Sequence, residues 1–375
     1  MKIVIAPDSF KECLSAQEVG LAIQHGLAQV WPNAEYRIIP VADGGEGTAQ
    51  SLVDASQGHF VTLRVTGPLG QSVQARYGLT GDKSTAIIEM AEASGLHLVS
   101  PAQRQALDTT SYGTGELIKH ALDSGIRKLI IGLGGSATND AGVGMLSALG
   151  ARFMDVSDES IVATGRGLSD LCRIDASGLD SRLQQSEILV ACDVNNPLCG
   201  DNGASVVFGP QKGADAKEVA LLDRNLKHFS ELTKHVTQRD VLHANGSGAA
   251  GGMGAAFLAY SNAILKPGVE IVLNAVGLEN QLRGADLVIT GEGRIDSQTV
   301  QGKTPMGVAQ LAKLSGIPVI ALCGCTGDGY QAVYECGIDA VFSVVPRAMD
   351  LPTALAEAEI NISDVAENVA RTYSM

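Results

Sequence analysis

Lys128-Leu129-Ile130-Ile131-Gly132-Leu133-Gly134-Gly135-Ser136-Ala137-Thr138-Asn139-Asp140 reads as a buried strand, Lys128 to Ile131, running directly into glycines and hydroxyls that open a helix. Glycines let a backbone come close to a ligand. The first free N–H groups of a following helix point at it, with the positive end of the helix dipole behind them. The spacing therefore predicts an anion site, with phosphate as the expected guest. A tight strand-to-helix turn in which Ser136, Thr138 or Asp140 serves only as an N-cap is the plainer alternative. Three glycines, two hydroxyls and an Asn-Asp pair exceed what such a turn needs.

Outward from this stretch, strand and helix signals alternate, which predicts βαβ units and a largely parallel sheet. Lys2 to Ala6 reads as a buried strand. Ser15-Ala16-Gln17-Glu18 is a capping box, and Val19, Ala22, Ile23, Gly26, Leu27 and Val30 give the 3.6-residue stripe of a helix ending at Trp31-Pro32. Tyr36 to Val41 is the next strand. The middle differs: Phe60 to Val65, Val73 to Leu79 and Ala86 to Met90 are short strands separated by Gly67-Pro68-Leu69-Gly70 and Gly81-Asp82, the spacing of a meander. From Ala285 the doubly wound pattern returns, with strands at Leu287 to Thr290, Pro318 to Cys323 and Ala340 to Val345, and helices at Pro305 to Leu314, Tyr330 to Cys336 and near Leu355 to Tyr373.

Two regions of like pattern flank an unlike one. The expectation is an α/β protein with a discontinuous Rossmann-like parallel-sheet domain, residues 1–65 plus 286–375, and an inserted α/β domain with a mixed sheet, residues 66–285. The active site is expected in the cleft between them. A sequential two-domain chain cut near Gly200 is the rival.

With 375 residues the chain holds ample core, and hydrophobics at 45% and charged residues at 18% describe a globular protein. Its 44 glycines exceed the usual share of about 7%, as tight strand-to-helix turns require. A net charge of −14 repels nucleic acid and anionic membranes, so neither is an expected partner. A polyphosphate would need a local positive pocket, which turns attention to lysines in glycine-rich loops. The N-terminus is too quickly polar for a signal peptide, and no apolar run approaches about 18 residues. A cytoplasmic protein is expected, and its seven scattered cysteines suit a reducing compartment. A homo-oligomer is left open.

Four clusters follow predicted strands, where open α/β sheets place ligands. They are Pro7-Asp8-Ser9-Phe10-Lys11, Asp43-Gly44-Gly45-Glu46-Gly47, Cys192 to Gly200 with Asp193, and Gly291-Glu292-Gly293-Arg294-Ile295-Asp296 leading to Gly302-Lys303-Thr304. One such Asp is usually a turn former. Several together point to Mg²⁺ and phosphates, because Mg²⁺ takes one or two carboxylates plus phosphate oxygens. Ser297 to Thr304 looks like a Walker A loop but has Ser where its first Gly belongs, which removes a P-loop NTPase. Gly246-Ser247-Gly248-Ala249-Ala250-Gly251 matches a dinucleotide fingerprint, yet no clean strand precedes it, and glycines that let a helix through Phe257 pack closely explain it better. Cys323-Gly324-Cys325 has no second Cys/His pair to make a metal site.

Five motifs in series carry a resemblance: Asp8-Ser9-Phe10-Lys11, Ala42 to Thr48, Gly134 to Asp140, Phe208 to Ala214, and Thr290 to Asp296. In that order they resemble the bacterial type I glycerate kinases over nearly the whole chain. At Gly165-Arg166-Gly167-Leu168 the chain departs from that pattern, with Arg166 where a second glycine is expected. The resemblance implies ATP- and Mg²⁺-dependent phosphorylation of D-glycerate, usually to 2-phosphoglycerate, by a two-domain α/β protein. Phosphoryl transfer asks mainly for positioning and charge neutralisation. Gly134, Gly135, Ser136 and Thr138 are then expected to cradle phosphate oxygens, with Lys11, Lys212 and Lys303 neutralising charge on the transferred group. Asp193 and Asp296 are the candidates for Mg²⁺ binding or for accepting the glycerate hydroxyl proton, with the division between them open. Asp8, Asp43 and Arg294 are the expected substrate contacts, Arg294 through a bidentate fork on the carboxylate or, equally, as a structural salt bridge. Two other classes stay open: an NAD-dependent oxidoreductase of a small hydroxy acid using Gly246 to Gly251, and a non-catalytic small-molecule-binding protein.

Overall fold

The computed structural model describes residues 1–374. The chain forms two compact units, one from residues 1–57 and 267–375 and the other from residues 58–266.

The first unit is built on a five-stranded parallel sheet in the spatial order Ala340–Ser343, Val319–Thr326, Leu287–Ile295, Lys2–Pro7, Glu35–Ile38. Counted along the chain within the unit, that is the doubly wound order 2-1-3-4-5. Its switch point lies between Lys2–Pro7 and Leu287–Ile295, where Ile3 pairs with Leu287 and Pro7 with Gly291. Ligands of such sheets bind beyond the carboxyl ends of the strands at this point. Both strands are almost wholly buried because helices cover the sheet, and each buried Ile or Leu side chain contributes about 1.5–3 kcal/mol.

Helix Ala16–Ala28 starts on the expected capping box: the Glu18 N–H donates to Ser15 Oγ, and the Ser15 N–H donates to the Glu18 carboxylate. Its stripe of Val19, Ile23 and Leu27 is fully buried with Ile3, Ile5 and Ile362. Gly26 is where it crosses the final helix Ala358–Tyr373, since a Cβ there would lie 2.0 Å from the Ser363 carbonyl oxygen. Ala would force the pair apart.

The second unit carries a six-stranded mixed sheet in the order Ile264–Lys266, Glu187–Ala191, Lys128–Gly132, Thr85–Glu89, Ser72–Leu79, His59–Thr66. The last three form the expected antiparallel meander, and the others run parallel. A ribbon of Arg152–Met154 and Arg173–Asp175 stands apart. The unit boundaries at 57/58 and 266/267 differ from 65/66 and 285/286 for a physical reason. His59–Thr66 pairs along its whole length with Ser72–Leu79, and helix Gly268–Ala275 packs its Val269 and Leu273 against Gly307 of the first unit. Gly200 lies within the second unit.

Two local expectations change. The strand expected at Leu287 to Thr290 runs on to Ile295, so most of the Gly291–Asp296 segment is strand rather than loop. After Lys128–Gly132, no helix opens on the glycines: the chain loops until Val143–Ala148, a helix of six residues. The helix-dipole argument for Gly134–Thr138 therefore falls, and Asp140 is the N-terminal acceptor, taking the Gly142 and Gly144 N–H groups.

Candidate active site

At the switch point of the first unit, a cavity of about 570 Å³ opens beside Asp8. It brings together five residues marked in the sequence: Asp8, Lys11, Asp43, Arg294 and Lys303. Its opposite wall is apolar, formed by Phe10, Val344, Leu351 and Leu355 among others.

Asp8 follows directly on Lys2–Pro7, and its N–H donates to the Gly291 carbonyl at 2.9 Å, which continues the strand pairing by one residue. Its side chain is 8% exposed. Oδ1 accepts the Ser9 N–H at 2.7 Å, and Oδ2 accepts the Thr304 hydroxyl. Burial pushes the carboxyl up to about 7, against the pull of the Thr304 hydrogen bond, and the charges of Asp43 and Glu292 add to the rise.

Glu292 is a functional candidate that the sequence reading placed in a motif without a role. It sits inside the extended strand and lines the same cavity as Asp8. Oε1 accepts the Thr299 hydroxyl at 2.7 Å, and Oε2 pairs with Lys303 Nζ at 3.2 Å. Burial pushes its carboxyl up, opposed by Thr299 and Lys303. Thr304, which fixes Asp8, was also unmarked. The Gly302-Lys303-Thr304 sequence that mimics a Walker loop opens helix Thr304–Leu314, and its Lys and Thr hold the two buried acids.

Arg294 makes a salt bridge, as one of its two readings expects. It lines the cavity, and its Nε pairs with Asp296 at 3.1 Å, with the Arg294 side chain 62% exposed. Asp296 also accepts the Gln298 N–H and does not line the cavity. Asp43 accepts the Gly45 N–H at 3.0 Å, the turn-forming role common for Asp, and faces the cavity. Lys11 lies exposed at its rim.

In the second unit, Gly134 and Gly135 form an exposed turn with Gly135 at φ +73°, and Ser136, Thr138 and Asp140 descend into the interior. Lys212, 3% exposed, reaches the same loop and donates to Ser136 Oγ and to the Thr138 carbonyl, both at 2.7 Å. Burial pushes its amine down to about 7, with Asp140 pulling the other way. Asp140 is fully buried and accepts four hydrogen bonds, from the Ser111 N–H and hydroxyl and from the Gly142 and Gly144 N–H groups. Burial still pushes its carboxyl up. Thr138 Oγ1 is buried with no hydrogen-bond partner among the described residues, a polar atom that a bound anion or water would satisfy.

Asp193 is exposed on the loop after Glu187–Ala191, in the second unit, whereas Asp296 belongs to the first. The dinucleotide-like glycines serve close packing: Ala250, Gly251 and Gly252 turn left-handed inside helix Ala249–Tyr260, and a Cβ on Gly251 would lie 2.0 Å from the Thr138 carbonyl oxygen. Arg166 stands at φ −66°, a conformation that needs no glycine, and forks onto Asp108 at 2.7 and 2.9 Å. Among the described residues, no three His, Cys, Asp or Glu side chains converge as a metal site. Among the described residues, no helix is long and apolar enough to cross a membrane.

Comparison with known proteins finds that the family model described as the glycerate kinase family matches residues 3–374. The chain is 54% identical to a glycerate kinase of Haemophilus influenzae, covering 100% of this chain and 99% of that protein. It is 52% identical to the glycerate 2-kinase of Escherichia coli K12, covering 100% and 98%. A crystal structure assigned as glycerate kinase 2 from Salmonella typhimurium LT2 superposes with a TM-score of 0.93 at 54% identity, covering 100% of this chain and 98% of that one.

Proposed function

We propose that this chain, which belongs to the glycerate kinase family, transfers the γ-phosphoryl group of ATP to the 2-hydroxyl of D-glycerate with the help of Mg²⁺. The observation that carries this reading is the cavity at the switch point of the first unit. There a buried carboxylate, Asp8, stands in one chamber with three cationic side chains, Lys11, Arg294 and Lys303. Such a chamber suits a small anion that also carries hydroxyls. Arg294 would hold the glycerate carboxylate, since its planar fork matches a carboxylate and its own side chain is largely exposed in the pair with Asp296. Asp8 and Asp43 would take the hydroxyls.

The residues of the second unit fit phosphate. Gly134 and Gly135 expose backbone at a turn, Ser136 and Thr138 offer hydroxyls, and the Thr138 hydroxyl lacks a partner. Two of the three N–H bonds of Lys212 go to this loop, which leaves one for a phosphate oxygen. A phosphate there would favour the charged amine that burial alone disfavours. Lys11 and Lys303 are the remaining cations proposed to meet charge on the transferred group.

Mg²⁺, when bound, supplies neutralisation of phosphate charge and orients the transferred group. It needs only one or two protein carboxylates, and Asp193 and Asp296 are proposed for it. Asp296 would have to share its oxygens with Arg294.

The test is ADP release by purified protein across a panel of small hydroxy acids. D-glycerate with Mg²⁺ and ATP should give the fastest turnover, and chelating the metal should abolish it. Turnover of a sugar or of an acyl acid with none of glycerate would overturn the substrate.

A further inference from the structure

We propose that Asp8 is the proton acceptor of the reaction, a role that rests on the phosphoryl-transfer reading above. The hydroxyl of the bound hydroxy acid gives its proton to the Asp8 carboxylate as its oxygen attacks. The O–H bond breaks with its electron pair left on oxygen, and that oxygen bonds to the γ-phosphorus. The bond from phosphorus to the β,γ-bridging oxygen breaks, its pair leaves on ADP, and the proton ends on Asp8 until solvent removes it.

Geometry separates Asp8 from the other acids. Both Glu292 oxygens are engaged, one by a hydroxyl and one by an ammonium, and the ammonium makes that carboxylate a poorer base. Asp296 is spent on Arg294 and the Gln298 N–H and lies off the cavity lining. Asp43 is turned into its own Asx turn. Asp8 alone among them is nearly enclosed, faces the cavity and has only neutral donors, the Ser9 N–H and hydroxyl on Oδ1 and the Thr304 hydroxyl on Oδ2, which leaves a lone pair on Oδ2. Desolvation without a cationic partner makes a carboxylate a stronger base near neutral pH. The Thr304 hydroxyl, delivered by the first turn of helix Thr304–Leu314, fixes the direction of Oδ2 and moderates that effect.

The charged and titratable groups that share the chamber are the acids Glu12, Asp43 and Glu292 and the cations Lys11, Arg294 and Lys303. Two thiols, Cys13 and Cys325, also line it. Of the acids, Glu292 is the other one raised by burial, so the test must tell it from Asp8.

The experiment is the pH dependence of kcat, with KM values for D-glycerate and ATP, for the wild type, Asp8→Asn, Thr304→Val and Glu292→Gln. The wild type should lose kcat/KM on the acid side, with a limb displaced above the ordinary carboxylate range towards the value of about 7 to which burial pushes the Asp8 carboxyl of the free protein. Asp8→Asn should lower kcat by about 10²–10⁴-fold, remove that acid limb and leave both KM values within about threefold. Thr304→Val should move the limb to higher pH and keep the alkaline plateau, because it removes a hydrogen bond to the ionised acid. Glu292→Gln should leave the limb in place. The assignment is overturned if Asp8→Asn raises KM for glycerate while kcat and its pH profile persist, or if Glu292→Gln removes the limb. Should Asp8→Asn fail to fold, an unmoved limb in Thr304→Val overturns it equally. A wild type inactive on glycerate overturns the kinase reading itself, whereas an active wild type with an active Asp8→Asn overturns only the role of Asp8.

Discussion

Asp8 in the first unit and Asp140 in the second are both buried acids on the loop that follows a central strand, yet the chain treats them differently. Asp140 is fully enclosed and accepts four protein hydrogen bonds, two of them from the backbone that starts helix Val143–Ala148. Asp8 accepts the Ser9 N–H and hydroxyl on Oδ1 and only the Thr304 hydroxyl on Oδ2, and it faces a cavity that it shares with the acids Asp43 and Glu292 and the cations Lys11, Arg294 and Lys303. A carboxylate that is satisfied by the protein holds a loop in place. One left part-satisfied against a cavity keeps its capacity for an outside partner.

The largest expected effect separates the two by stability. Asp140→Ala strands a hydroxyl and three N–H groups in the interior and should cost about 3–5 kcal/mol, read as a fall in the denaturation midpoint. Asp8→Asn removes a desolvated charge and should leave stability unchanged or raise it while activity collapses, the usual trade at a site built for function. Equal destabilisation by the two changes would erase the distinction.

Lys212 sharpens the comparison with the opposite charge, and its expected effects come next in size. Lys212→Met should lower kcat by about 10²–10³-fold, as loss of a preorganised charge donor does, with the fold retained. Its pH signature is the mirror of the Asp8 signature. Burial raises Asp8 from 3.8 to about 7, so the folded chain holds an extra proton in that window and loses stability as pH rises through it. Burial lowers Lys212 from 10.5 to about 7, so the unfolded chain holds the extra proton and stability rises with pH from about 7 towards 10.5. Denaturation of the wild type and of each neutral variant from pH 4 to 10 should show the two slopes with opposite sign. A flat difference for either variant would mean that the group is solvated in solution.

Much of this was legible in the sequence where the signal is local. The Ser15-to-Glu18 capping box, the 3.6-residue stripe from Val19 to Leu27 and the meander between His59 and Glu89 depend on neighbours a few residues apart. Asp8, Lys11, Asp43, Arg294 and Lys303 were also marked, because strand-end loops of an open sheet are where ligands go. What could not be read depends on distant register. The burial of Asp8 follows from the pairing of Lys2–Pro7 with Leu287–Ile295, and its partner Thr304 is 296 residues away. The continuation of the strand to Ile295, which makes Glu292 a buried acid, is set by pairing with Val319–Thr326 and not by propensity, since Gly291 and Gly293 argue against a strand. Likewise the loop at Gly134–Gly142 avoids a helix because Asp140 and Lys212 turn it inward, and neither contact is local to the glycines.

The claim on which the account rests is transfer to the 2-hydroxyl of glycerate. Glycerate carries a secondary hydroxyl beside its carboxylate and a primary one a carbon further away, so the distance from the carboxylate anchor, proposed as Arg294, to the acceptor oxygen decides the product. The direct measurement is to pass freshly made product to enolase in the absence of phosphoglycerate mutase and follow phosphoenolpyruvate. Immediate conversion is the predicted result and identifies 2-phosphoglycerate, whereas conversion only after the mutase is added would identify the 3-isomer and contradict the account.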